Sequence, residues 1–255
     1  MVQSSIAAEE RHSWLTEQLA STGAVRIVDA AGRLGVSELT VRRDLAELEE
    51  RGTVRRVRGG AKAVGPQTFA ERSTTMARAK SRIAQKLAAL VPSHGAIAFD
   101  ASSTIMRLAT DLASGRSGAR DLIVLTNGPD TFHVLQDQAG ITPLLTGGWL
   151  AARTGSLVGP LACRAASQLA VQVFFASSAA LDPRSGALEA ALEEAEVKRS
   201  IAAVSDRVVL AVDSSKLGAR AVAVGLGWEH VDVLVTELDP NDEKLSPYRD
   251  LTELL

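Results

Sequence analysis

The stretch Val36-Ser37-Glu38-Leu39-Thr40-Val41-Arg42-Arg43-Asp44-Leu45, with Leu48 behind it, decides how this chain reads. Val41, Leu45 and Leu48 fall at i, i+4 and i+7, the inner stripe of a short helix. Ser37 stands where an N-cap belongs. At about 100° per residue the stripe turns Arg43 outward. Leu39 and Glu47 flank it, and Thr40 and Arg42 lie on the shoulders. A leucine on a solvated helix face is out of place. It fits a face that enters a major groove, where leucine meets thymine methyls and arginine forks onto guanine. The plainer alternative has Arg42 and Arg43 solvating the helix or pairing with Asp44 and Glu47. Upstream, Ile27, Ala30, Ala31 and Leu34 repeat the apolar stripe, Gly35 closes that helix and Val36 plugs the turn. Two short helices across a glycine-containing turn predict a helix-turn-helix.

Working outward, Ile6 to Ala20 predicts a preceding helix with Trp14, Leu15 and Leu19 on one side, ended by Thr22-Gly23. On the other flank Gly52 ends the reader helix. Thr53 to Arg58 is β-prone and basic, and Gly59-Gly60 turns it. This pattern predicts the wing of a winged helix. Arg55, Arg56 and Arg58 would meet phosphates there, which positions a protein without reading sequence. Net charge is −2, yet residues 51–86 hold ten Lys or Arg and one acid, while residues 87–255 hold 13 bases and 20 acids. A basic end on an acidic body points to a polyanion at one end only. A solvated charged helix and linker is the bland alternative.

The chain therefore divides into a DNA-binding domain over 1–62, a linker over 63–76 and a second domain over 77–255. Ala77–Leu90 predicts a helix leading into the second domain. Apolar runs at Ala96–Phe99, Leu122–Leu125, Ile141–Leu145, Val171–Ala176, Val208–Val212 and Val231–Val235 predict strands. Helical patterns at Thr104–Ala113, Pro129–Gln138 and Leu188–Val204 alternate with them. Short continuous apolar strands between helices predict an α/β fold with a mostly parallel sheet covered on both faces. Ligands bind such sheets beyond the carboxyl ends of the strands. Asp100, Ser102, Ser103 and Thr104 lie at one such end, where hydroxyls and free helix N–H groups suit a phosphate. Asn127, Gly147 and Gly148 follow two further strands. Ser103 as a plain helix cap, and Gly147-Gly148 as an ordinary loop, are the alternatives. Asp182, Lys198 and Lys216 add charge at later strand ends or on the late helix, although a lone lysine is more often solvated.

The N-terminal run, with Leu48-Glu49-Glu50-Arg51-Gly52 and Val57-Arg58-Gly59-Gly60-Ala61, resembles the signature of the DeoR family of bacterial repressors. The resemblance continues through Thr126-Asn127, Gly147-Gly148, Thr154-Gly155-Ser156-Leu157-Val158-Gly159-Pro160, Glu194-Ala195-Glu196-Val197-Lys198-Arg199 and Asp213-Ser214-Ser215-Lys216. It implies a sensor domain similar in fold to ribose-phosphate isomerases, a phosphorylated sugar or related metabolite as effector, an operator in double-stranded DNA, and a homo-oligomer. The sequence departs from the family pattern at Ser177-Ser178-Ala179-Ala180-Leu181-Asp182, where a glycine is usual. It departs again at Gly186-Ala187-Leu188, which lacks the usual threonine.

No glycine-rich nucleotide fingerprint or metal-spaced His or Cys cluster occurs, so neither cofactor nor metal is expected. One cysteine, Cys163, and an N-terminus without an apolar core lead to an expectation of the cytoplasm and no membrane. The competing function is a sugar-phosphate isomerase or deaminase with an accessory DNA-binding domain. Asp182 and Lys198 are its candidate acid-base groups, without a close motif around them.

Overall fold

A computed structural model describes residues 8–50, 54–63, 68–115 and 121–255. The expected end of the reader helix at Gly52 and the start of the wing at Thr53 lie outside the described residues, as do Gly65 and Pro66 of the expected linker. The chain forms two compact units, Met1–Arg72 and Ser73–Leu255.

In the first unit, α1 (Ala8–Thr22) leads through β1 (Ala24–Arg26) into α2 (Ile27–Leu34) and α3 (Glu38–Glu50). Strands β2 (Val54–Val57) and β3 (Gly60–Ala63) form an antiparallel hairpin, and β1 adds to β3 on its other side. Gly35 adopts a left-handed conformation at φ +64°, which lets α2 stop and the chain turn into α3. Leu15, Leu19, Ile27, Ala30, Leu34, Val41, Leu45, Leu48 and Val54 form one core, with Val36 packed against it. The apolar stripes of α2 and α3 are thus the two sides of one interface. At about 1.5–3 kcal/mol per large buried side chain, that interface holds the two helices together.

Within the segment read as linker, α4 (Phe69–Thr74) forms. Thr68 and Glu71 make a reciprocal capping box: the Thr68 N–H donates to Glu71 Oε2 at 2.9 Å, and the Glu71 N–H to Thr68 Oγ1 at 3.2 Å.

In the second unit, α5 (Ala77–Ala88) precedes β4 (Gly95–Phe99), α6 (Ile105–Ala113), β5 (Leu122–Thr126), α7 (Pro129–Leu135) and β6 (Ile141–Leu145). A hairpin of β7 (Trp149–Ala151) and β8 (Ser156–Val158) follows, then α8 (Pro160–Ala166) and β9 (Val171–Ala176). Next come β10 (Ala180–Asp182), β11 (Gly186–Glu189), α9 (Leu192–Ala202), β12 (Ser205–Ala211), β13 (Ala223–Leu226), β14 (Val233–Val235) and β15 (Glu253–Leu254). Seven strands make a sheet in the order β15-β14-β12-β9-β4-β5-β6, and every pairing in it is parallel. Adjacent residues face opposite layers, as a strand requires. Phe174 packs with α8 and α9 residues such as Ala162 and Val197, and Phe175 with α5 and α6 residues such as Ile83 and Leu108.

One predicted element is corrected. Leu188 and Glu189 belong to a strand, not to the start of a helix over Leu188–Val204. β11 pairs with β10 and β13 in a second, antiparallel sheet, and the helix begins at Leu192.

Candidate functional site

On the first unit, α3 and the β2–β3 wing border a groove lined by Ile27, Arg42, Leu45, Glu49, Arg56, Val57, Arg58 and Gly60. Ser37 caps α3: its Oγ accepts from the Thr40 N–H at 3.1 Å and lies 2.9 Å from Thr40 Oγ1. Leu39 is 72% exposed. Arg42 pairs with Glu38 one turn back, at 3.3 Å, with both side chains about half-exposed. Arg43 is exposed, and among the described residues no acid pairs with it. Asp44 is not the partner of Arg42 or Arg43 that the plainer reading allowed. It turns inward, 2% exposed, and takes a fork from Arg11, Nε to Oδ2 at 2.8 Å and Nη2 to Oδ1 at 2.9 Å. That carboxylate raises the Arg11 pKa by hydrogen bonding and charge against the opposing effect of burial. The pair ties α1 to α3 and leaves the outer face of α3 to Leu39 and Arg43.

On the wing, Arg55 and Arg58 are exposed. Arg56, expected beside them as a phosphate contact, is paired within the chain. Its backbone N–H and Nε donate to Glu49 at 2.7 and 2.6 Å. These bonds, the backbone one foremost, hold the Glu49 carboxyl below its ordinary range. Arg56 therefore fixes the wing against α3 in the free protein.

In the second unit the carboxyl ends of β4, β5 and β9 converge. Asp100 is 6% exposed. Its Oδ2 accepts from the Ser177 N–H at 2.7 Å and from Lys198 Nζ at 2.9 Å, and its Oδ1 from the Ser102 N–H at 3.2 Å. Asn127 closes the far side: its Oδ1 accepts from the Ala101 N–H at 3.0 Å, and its Nδ2 donates to the Leu157 carbonyl at 3.1 Å. Ser102, not Ser103, caps α6, accepting from the Ile105 N–H at 3.1 Å. Ser103 instead accepts from Lys80 Nζ at 3.0 Å, with both side chains buried. Thr104 is buried beside it.

Lys198 is not a solvated surface lysine. At 6% exposure it also contacts the Ser177 carbonyl and lies 2.7 Å from Glu189 Oε1. Burial opposes its charge, but Glu189 and Asp100 together outweigh burial and raise its pKa. Burial pushes the Glu189 carboxyl up to about 7, against the pull of Lys198. Lys198 Nζ and Glu189 Oε1 thus form a buried ion pair. A protonated, doubly paired lysine is poorly placed to act as a base.

Three expected residues do other work or stand apart. Asp182 caps the β10–β11 turn, its Oδ1 accepting from the Arg184 and Ser185 N–H groups at 2.9 and 2.8 Å. Those two bonds, the Ser185 one first, lower its pKa, and both fall on Oδ1. Lys216 is half-buried on a short 3₁₀ turn after β12. Gly148 (φ +109°) is a packing position, since a Cβ there would meet the Val158 carbonyl oxygen at 2.4 Å, whereas a Cβ on Gly147 would meet open space. Lys80 and Glu189 were not singled out in the sequence. Lys80 shares a helix face with buried Ile83 and Leu87, and a lysine in an apolar stripe is a readable sign of a buried partner.

A helix-turn-helix with a wing, joined to an α/β domain, defines the class of a DNA-binding transcriptional regulator. The family comparisons are specific. The DeoR-like helix-turn-helix domain matches residues 11–67, and the DeoR C terminal sensor domain matches residues 75–238. The chain belongs to the DeoR family of transcriptional regulators. It is 29% identical to the HTH-type transcriptional regulator GolR of Listeria innocua over 245 residues, covering 94% of this chain and 95% of that one. It is 28% identical to the glycerol-3-phosphate regulon repressor of Escherichia coli over 234 residues, covering 91% of each. Among solved structures it is similar to ribose 5 phosphate isomerase A from Neisseria gonorrhoeae at 19% identity and a TM-score of 0.36, over 59% of this chain and 54% of that one. Among the described residues no helix is long and apolar enough to cross a membrane, and no cluster of metal-ligating side chains occurs.

Proposed function

We propose that this regulator is a cytoplasmic, homo-oligomeric repressor whose hold on its operator is governed by a small phosphorylated metabolite, a sugar phosphate or a close relative. The observation that carries the effector reading is the buried Lys80–Ser103 contact at the β4–α6 junction. A cation, two serine hydroxyls and the amino end of α6 meet there, which is the donor set a phosphate requires. Asp100 and Asn127 brace that loop, Lys198 holds Asp100 in place, and Gly147 and Lys216 border the same edge of the sheet. The relative named as a glycerol-3-phosphate regulon repressor supports a phosphorylated ligand. In the DNA-bound state Leu39 and Arg43 read base edges. Ser37, Thr40 and Arg42 flank them, and Arg55 and Arg58 contact phosphates. Arg56 joins these contacts if it exchanges Glu49 for a phosphate. Effector and operator then compete through thermodynamic linkage.

The test is a thermal-shift and calorimetric screen of phosphorylated sugars against their dephosphorylated forms. Only phosphorylated compounds should stabilise the protein. Lys80→Met should abolish the response while operator binding persists in the absence of ligand. Equal stabilisation by a sugar and its phosphate would overturn the reading.

A further inference from the structure

Among the described residues Glu49 is the one acid lining the groove between α3 and the wing, where Arg42, Arg56 and Arg58 also stand. Both of its carboxylate oxygens are engaged by one residue. Oε1 accepts from the Arg56 backbone N–H at 2.7 Å, and Oε2 from the Arg56 Nε–H at 2.6 Å. Such short bonds are charge-assisted. The strand needs only the first of them. A backbone N–H is present whatever side chain stands at 56, and that bond alone would fix β2 against the end of α3. The second bond restrains a guanidinium whose side chain is 53% exposed. Arg42 differs: its bond to Glu38 is single, 3.3 Å long and within one helix, a surface pair that holds little.

Backbone N–H groups and guanidinium groups are also the donors that hold DNA phosphates. In the free protein the Glu49 carboxylate takes that donor pair, offering two oxygens and a negative charge as a phosphate does. We propose that Glu49 is a specificity-determining residue: it stands in for a DNA phosphate and withholds Arg56 from non-cognate DNA. Phosphate contacts supply essentially all of sequence-independent affinity. Any phosphate must displace Glu49 before it gains Arg56, whereas the exposed Arg55 and Arg58 meet it directly. On mixed-sequence DNA nothing offsets that displacement. On an operator, the base contacts of Leu39 and Arg43 seat α3 and hold the wing against the backbone, and Arg56 then changes partners. The pair therefore lowers non-specific binding more than specific binding, and their ratio is what finds a site in a genome. Held below its ordinary range by these bonds, the Glu49 carboxyl stays ionised at neutral pH. The inference rests on the wing meeting phosphates, as proposed above.

The full-length protein and a mixed-sequence DNA duplex test it, and no operator is needed. Fluorescence anisotropy over a salt series gives the slope of log K against log salt. Glu49→Gln keeps a carbonyl for the Arg56 N–H, and with it the place of the wing, but offers the guanidinium no charge. It should steepen the slope by about 0.9, the equivalent of one further phosphate. Between ~50 and ~200 mM salt the variant should then lose roughly 3.5-fold more affinity than the wild type loses. In an Arg56→Gln background the same change should not steepen the slope, because no guanidinium is there to release. Arg55→Gln/Arg58→Gln should flatten the slope by about 1.8, which tests the wing reading by itself.

If Glu49→Gln melts early, the wild type gives a second measurement by NMR. Its Arg56 Nε–H resonance, shielded by Glu49, should keep its position and slow exchange when the protein is saturated with the mixed-sequence duplex. Steepening of equal size with and without Arg56 would be plain removal of a negative charge, and it overturns the proposal. So does an unchanged slope in a folded Glu49→Gln protein, or an Arg56 Nε–H signal that moves on mixed-sequence DNA. A slope that Arg55→Gln/Arg58→Gln leaves as it was overturns the wing reading and this proposal with it.

Discussion

Lys198→Met removes one cation from a buried cluster that keeps both of its carboxylates. Methionine has nearly the reach of the lysine stem, so the change is chiefly electrostatic. Asp100 would still accept from the Ser177 and Ser102 N–H groups. Glu189 would have nothing, because its closest cation is the ammonium 2.7 Å away. Breaking a buried ion pair costs about 3–5 kcal/mol. The sign of the pH dependence follows from Glu189, whose carboxyl already titrates at about 7 because of burial, with Lys198 pulling it down. Without Lys198 that pKa rises further. For a carboxyl raised above its unfolded value, stability is fully present below the unfolded pKa and is lost as pH climbs through the folded one. The variant should therefore lie closest to wild type near pH 5, where Glu189 is neutral in both proteins and only the Asp100 pair is lost, and its deficit should widen toward pH 8.5. Urea denaturation at those two pH values, with ΔG and m fitted for each protein, measures it. A deficit below about 1 kcal/mol that is the same at both pH values would mean that Lys198 is solvated and the buried cluster does not exist.

Three further outcomes are expected. Arg43→Ala should weaken operator binding by about 1–3 kcal/mol and relax preference at one base step. Because the side chain is exposed and unpaired, the melting temperature should not move; fluorescence anisotropy and calorimetry read the two. Asp44→Ala should remove the fork that ties α1 to α3 and destabilise the first unit by about 1.5–3 kcal/mol, visible as an earlier melting transition. Gly148→Ala, which drives a Cβ into the Val158 carbonyl, should lower stability by about 1–3 kcal/mol. Gly147→Ala, which meets open space, should lower it less in the same denaturation assay.

The helix-turn-helix was legible because its determinants are local. An i, i+4, i+7 stripe, a serine cap and a turn glycine lie within fifteen residues, and the same residues set the outward face of Arg43. The parallel sheet was legible for the same reason, from continuous apolar runs ending in polar residues. Local signals failed where pairing overrode them. Ala187 to Glu196 is rich in alanine, leucine and glutamate, so propensity favours a helix throughout, yet partners on both sides draw Gly186–Glu189 into a strand. That error hid Glu189. Asp182 carries a second local reading: Asp182-Pro183-Arg184-Ser185-Gly186 is a turn signature, and Oδ1 of the carboxylate caps that turn.

The buried charges show where sequence reading stops. Val41, Asp44, Leu45 and Leu48 complete one stripe, with an acid at a core position. Lys80 and Ile83 stand three apart on the inner face of α5, with a base at a core position. A charge in such a stripe must find an opposite charge or hydrogen-bonding partners, because burying it alone costs far more than a fold can bear. The period therefore says that a partner exists. It does not say which one, since Arg11 lies 33 residues from Asp44, Ser103 lies 23 from Lys80, and Asp100 lies 98 from Lys198. Those separations are bridged only by the packing of whole elements. The proposed effector site is made of such bridges, whereas the proposed reading face of α3 is made of one helix.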